Sequence, residues 1–153
     1  MLLVAILMAL VFNIIEKVND TGNLFAKIVY QNEEILMIDL KTNEYVVFDT
    51  EYKDLIDTGK ASEGIFYVPG LTTVDMTDLY QIDEYAKTNE IVGIKIVVED
   101  EKISVAYQES PKDLCQFQSP TNSPLTPIVC LPNQLIINVY SNFESMPVDS
   151  YLE

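Results

Sequence analysis

Two cysteines and a large excess of carboxylates are the side chains of this chain with the clearest capacity for chemistry. Cys115 and Cys130 stand at the two ends of one loop. Their spacing is unlike C-x-x-C, so it does not suggest a thioredoxin-type redox centre. A zinc site would need two further ligands, and the chain has no histidine. In an exported domain an even cysteine count favours a disulfide. Closing a loop of this length stabilises by about 3 kcal/mol in the chain-entropy model. The loop, QFQSPTNSPLTPIV, carries Pro120, Pro124 and Pro127 and no charge, so little periodic structure holds it without a staple.

The carboxylates are less specific. Asp75, Asp78, Asp83 and Glu84 are close enough in sequence to suggest calcium, but they do not follow the D-x-[DN]-x-[DN]-G order, and a solvated helix face is the simpler account. Among 24 acidic residues some close pair is unavoidable, so a pair suited to glycoside hydrolysis carries no weight. Serine nucleophiles lack a histidine partner, and neither G-x-S-x-G nor a phosphate-binding loop occurs. With arginine also absent, bidentate capture of phosphate is missing. No catalytic residue, metal ligand or cofactor is assigned.

Charge narrows the partners. Nine lysines against 24 acidic residues give a net charge of −15. That field opposes nucleic acid and anionic lipid alike, so membrane attachment must come from apolar burial. The acidic excess either keeps the domain soluble or attracts a cationic partner.

The elements that must position these residues read mostly as strands. Phe25–Tyr30 and Glu34–Asp39 flank the polar trio Gln31-Asn32-Glu33, and Lys41-Thr42-Asn43 precedes Glu44–Asp49. Alternation is clearest where Ile94, Ile96 and Val98 are followed, past the tip Asp100-Glu101, by Ile103, Val105 and Tyr107; one face of that hairpin must be buried. A short strand lies in Gly64–Gly70, and Gln134–Tyr140 is the last. Val74–Lys87 suggests a helix with Leu79, Ile82 and Ala86 on one face and Asp75 as cap. Tyr45, Tyr67 and Tyr107 read as half-buried sheet residues, with an aromatic binding platform as the alternative.

Met1–Ile15 contains one polar side chain, Asn13. As a helix it spans roughly 22 Å, short of the roughly 30 Å hydrocarbon core, and extension through Val18 admits Glu16 and Lys17. No basic residue precedes it; an upstream translation start would account for both defects. An uncleaved anchor over residues 1–18 is expected, ahead of a cleaved signal or a core helix. Residues 19–24 then form a linker, 25–141 the β domain with 51–90 as an elaboration, and 142–153 a tail.

The C-terminal half resembles the stand-alone NusG domain II family. Ile128-Val129-Cys130-Leu131-Pro132-Asn133, continuing into Gln134-Leu135-Ile136-Ile137, is similar to the family's closing I-V-C-L-P-N motif and strand. Asp113-Leu114-Cys115 matches the end of its Cys-Pro-Asp-x-x-Cys-like motif, with Ser110 before Pro111 where the family often has a cysteine. Ser-Pro-Thr-Asn-Ser-Pro replaces the usual Gly-rich turn. The resemblance implies one N-terminal membrane segment and a compact all-β extracytoplasmic domain, and it implies no activity. Together these readings lead us to expect a small antiparallel β-barrel or sandwich with an N-terminal transmembrane helix and one short helix. The expected role is a membrane-tethered, extracytoplasmic, non-catalytic binding or accessory domain serving an envelope complex, without nucleic acid. An envelope enzyme, or a carrier of a cationic ligand or metal using surface carboxylates, is the alternative.

Overall fold

Alternating apolar residues and two-residue turns produce the strands that organise this protein. The computed structural model describes residues 22–70, 76–108 and 115–141. The expected anchor and tail, Asp75, Ser110, Pro111 and Asp113 lie outside the described residues. Leu24–Ser141 forms one compact unit.

β1 (Phe25–Tyr30) and β2 (Glu33–Asp39) form a hairpin turned by Gln31-Asn32, at φ 48° and 68°. β3 (Tyr45–Val47) adds to β2, and β4 (Ile65–Val68) follows two short 3₁₀ turns. Two short helices come next, α1 (Thr77–Ile82) and α2 (Glu84–Thr88). β5 (Ile94–Glu99) and β6 (Lys102–Tyr107) form the second hairpin, with Asp100 and Glu101 at φ 50° and 57°. Left-handed geometry at both central positions matches the twist of the flanking strands, and here no glycine supplies it. β7 (Ile128–Cys130) and β8 (Leu135–Tyr140) close the unit.

Among the described residues the strands make two antiparallel sheets, ordered β3-β2-β1-β8-β7 and β4-β5-β6, with no closed barrel. One core lies between them: Ala26, Ile28, Leu36 and Ile137 of the first sheet pack with Phe66, Val68, Ile96 and Val105 of the second. A smaller core of Tyr67, Met76, Leu79, Ala86, Ile91 and Tyr107 lies on the other face of the three-stranded sheet, under the helices. The three-stranded sheet is therefore covered on both sides.

Two expectations are corrected. Tyr107 does not share a face with its pleat neighbours Ile103 and Val105. A register shift between Lys95 and Ile96 places it opposite Lys95 and turns it into the smaller core. The single helix over Val74–Lys87 is two helices broken at Asp83, whose backbone is extended (φ −132°, ψ 93°). Ile82 is consequently 76% exposed, away from the buried Leu79 and Ala86. Among the described residues no helix is long and apolar enough to cross a membrane.

Candidate functional site

Cys130 ends β7, and Cys115 lies at the near end of the loop that returns to it. The two are joined by a disulfide, with Cα atoms 5.3 Å apart and 1% and 0% exposure. A buried polar cluster sits against it. Asn133 Nδ2 donates to Gln108 Oε1 at 2.7 Å and approaches Cys130 Sγ at 3.4 Å. Gln108 Oε1 lies 3.7 Å from the same sulfur; this is a contact only, because an oxidised sulfur carries no proton. Gln116 Nε2 donates to the Gln108 carbonyl at 2.7 Å. Within the family-type motif, Cys130 and Asn133 are thus buried structural residues, Val129 is half-buried, and Leu131 and Pro132 are exposed.

Between the cysteines the loop is tied to both sheets. The carboxamide of Gln118 accepts from the Val129 amide at 3.1 Å and donates to the Val129 carbonyl at 2.7 Å. It occupies the outer edge of β7 as a neighbouring strand would. Three residues on, Thr121 exchanges two backbone bonds of 2.9 Å with Ile103 on the edge of the other sheet. The loop therefore crosses the open side of the sandwich, fixed at Cys115, Gln118, Thr121 and Cys130. It leaves Phe117 79% and Leu125 91% exposed, and Leu131, directly after Cys130, is 76% exposed.

No charged side chain occurs from Leu114 to Phe143. In a chain with a net charge of −15 this is a pronounced segregation. The neutral stretch contains five of the large apolar side chains that are exposed among the described residues: Phe117, Leu125, Leu131, Ile136 and Tyr140. Ile136 belongs to a row running across four strands, Val129–Ile136–Val29–Glu34, so the apolar part ends at an exposed carboxylate. On the other side Ser119 and Pro120 share an open cleft of about 410 Å³ with Glu99, Asp100, Lys102 and Ser104.

The carboxylates grouped by sequence separate in the fold. Asp78 and Glu84 are exposed, whereas Asp83 is buried. Its Oδ2 accepts from Tyr67 Oη at 2.7 Å and from Lys95 Nζ at 2.6 Å, and its Oδ1 accepts from the Ala86 amide at 3.0 Å, capping α2. Burial opposes ionisation of Asp83, but the Lys95 ammonium, the amide and the Tyr67 hydroxyl outweigh it and hold the carboxyl below its usual range. Burial and this bond push the Tyr67 hydroxyl well above the usual phenol range. Tyr85, stacked on Tyr67 at 5.9 Å, donates to Asp57 at 3.0 Å, and burial followed by that bond raises it too. These groups hold the helices on the sheet. Both oxygens of Asp83 are engaged within the protein. Tyr67 and Tyr107 are buried and Tyr45 is 41% exposed, so the three do not form one platform.

The NusG domain II family model matches residues 62–142. The chain belongs to the NusG domain II family. The match takes in β4 through β8 and the whole disulfide loop; β1 to β3 precede it, although β1 is the central strand of the larger sheet. Comparison with curated proteins gives no match. Among solved structures, a DUF1312 family protein from Ruminococcus gnavus ATCC 29149 is similar at 16% identity, with a TM-score of 0.37, covering 76% of this chain and 96% of that one. For a NusG domain II chain, the disulfide loop and its neutral surface are the features best placed to act outside the fold.

Proposed function

We propose that this NusG domain II protein is a membrane-tethered, extracytoplasmic binding or accessory module that performs no chemistry itself. One observation carries the reading: a loop pinned to both sheets and to a disulfide holds exposed Phe117 and Leu125, with exposed Leu131 directly after Cys130, inside a charge-free stretch of an otherwise acidic chain. Exposed apolar groups on a rigid frame lose little entropy on docking, and the absence of charge removes a desolvation cost. The buried disulfide supports an oxidising compartment, and the apolar Met1–Ile15 supports the tether. Carriage of a cationic ligand on carboxylates is less well supported, since the buried carboxylates are engaged within the protein: Asp83 by Lys95, Tyr67 and an amide, and Asp39 by the amides of Lys41 and Thr42.

The test is a photo-crosslinking residue at Leu125 in living cells, with Thr88 on the exposed side of α2 as control. A discrete adduct at Leu125 and none at Thr88 is expected, from a chain whose C-terminal tag external protease removes. Equal adducts at both positions, or a tag protected from protease, would refute the reading.

A further inference from the structure

We infer that the partner surface is a protein groove with an apolar floor and basic margins. This rests on the binding reading above and extends it to the chemistry of the partner. The apolar row Val129–Ile136–Val29 ends at Glu34, which is ion-paired to Lys27 at 2.9 Å, beside exposed Glu33. Across the loop, Ser119 and Pro120 face Glu99 and Asp100, with Lys102 as the one cation of that cleft. The neutral surface is thus bordered on two sides by groups of net negative charge, Glu33 and Glu34 against Lys27 on one and Glu99 and Asp100 against Lys102 on the other. Margins of one sign select a partner of the other sign and speed the encounter.

The same margins argue against the other occupants. A bilayer containing anionic lipid would meet acidic residues on both sides of the patch and no basic residue from Leu114 to Phe143. A second copy would set one acidic margin against another. Strand addition at β7 is blocked, because Gln118 already holds both outward groups of Val129.

The experiment uses the full chain in a phosphatidylcholine nanodisc, with Ile and Leu methyls observed by NMR. The probes are an amphipathic helical Leu/Lys peptide and its Leu/Glu counterpart. The Leu/Lys peptide should shift the methyls of Leu125, Leu131 and Ile136. Its affinity should fall about tenfold or more in Phe117→Ser/Leu131→Ser, the equivalent of losing at least 1.4 kcal/mol of apolar burial. Glu34→Gln/Glu99→Gln/Asp100→Asn should weaken it severalfold, and high salt should do the same. The Leu/Glu peptide should leave the methyls unmoved. All these substitutions are at exposed positions, and Glu34→Gln removes one ion pair, to Lys27, while keeping the side chain's shape, so the fold should be retained.

Equal binding of the two peptides, or of neither, would overturn the basic-margin assignment. So would Leu/Lys binding that ignores Phe117→Ser/Leu131→Ser. Broadening of the Leu125 and Leu131 methyls by a nitroxide lipid in the nanodisc would assign the surface to lipid instead, and shifts that grow with protein concentration alone would assign it to self-association. A Leu125 adduct in cells alongside any of these results would keep the binding module and remove only this description of its partner.

Discussion

Replacing Asp83 by alanine tests whether the polar cluster under the helices holds the domain together. The side chain is 6% exposed and makes three bonds: to Tyr67, to Lys95, and to the Ala86 amide. Loss of a helix N-cap costs about 1 kcal/mol. A buried tyrosine hydroxyl left without its acceptor costs about 1–3 kcal/mol. Stranding one member of a buried ion pair costs about 3–5 kcal/mol, and less here because Lys95 keeps 18% of its side chain in water. These terms overlap, so Asp83→Ala should destabilise by about 3 kcal/mol. Lys95→Met added to it should recover part of that loss. The folded carboxyl is held below its unfolded value of about 3.9. Its stabilisation is therefore complete above about pH 4 and lost as pH falls through the folded value, so the wild type should lose stability there while Asp83→Ala should not. Urea unfolding of the oxidised chain, followed by tyrosine fluorescence and circular dichroism, measures all three quantities. A loss under about 1 kcal/mol for Asp83→Ala, or strict additivity with Lys95→Met, would refute the argument.

Removing the disulfide by Cys115→Ser/Cys130→Ser should cost about 3 kcal/mol in the same urea assay, because the bridge closes a separation of 15 residues; an unchanged midpoint would show that Gln118 and Thr121 hold the loop without it. Glu101→Gly should stabilise by about 0.5–1 kcal/mol, since Glu101 sits at φ 57° on an exposed turn where glycine carries no Cβ penalty; a fall in midpoint would mean its side chain is needed. Gln118→Ala should expose the edge of β7 and raise self-association measured by light scattering, while two lost bonds to Val129 lower stability by about 1–2 kcal/mol. A strictly monomeric variant would show that the edge is protected by other means.

Much of the strand framework was legible in the sequence, and the reasons are local. Phe25–Tyr30 emerged as read, and the β5–β6 hairpin turns at Asp100-Glu101 because alternation on both sides leaves only those two residues unpaired. Cys115 and Cys130 pair as their isolation in one loop suggested. Tyr107 was misplaced because the extra residue in its own strand, Ala106, which has no partner between Lys95 and Ile96, leaves the apolar–polar alternation of the sequence unchanged. Asp83 was read as one solvated acid on a helix face because its partners, Tyr67 and Lys95, are 16 and 12 residues away in the chain. The role of Gln118 as a side-chain substitute for a β-strand has no sequence pattern, since any loop glutamine looks the same until an edge strand lies beside it.

The burial of the disulfide also constrains the order in which the protein is made. Thiol–disulfide exchange requires a thiolate to reach sulfur in line, and at 1% and 0% exposure neither cysteine admits another molecule in the finished fold. Oxidation must therefore precede closure of the core around Cys130, or proceed through a transient opening of the loop. An oxidant meets its substrate as a nascent chain, and a reductant added later waits on unfolding. For this domain the bond records the conditions of synthesis: a molecule that folds before it is oxidised stays reduced on the timescale of that opening, whatever its surroundings become.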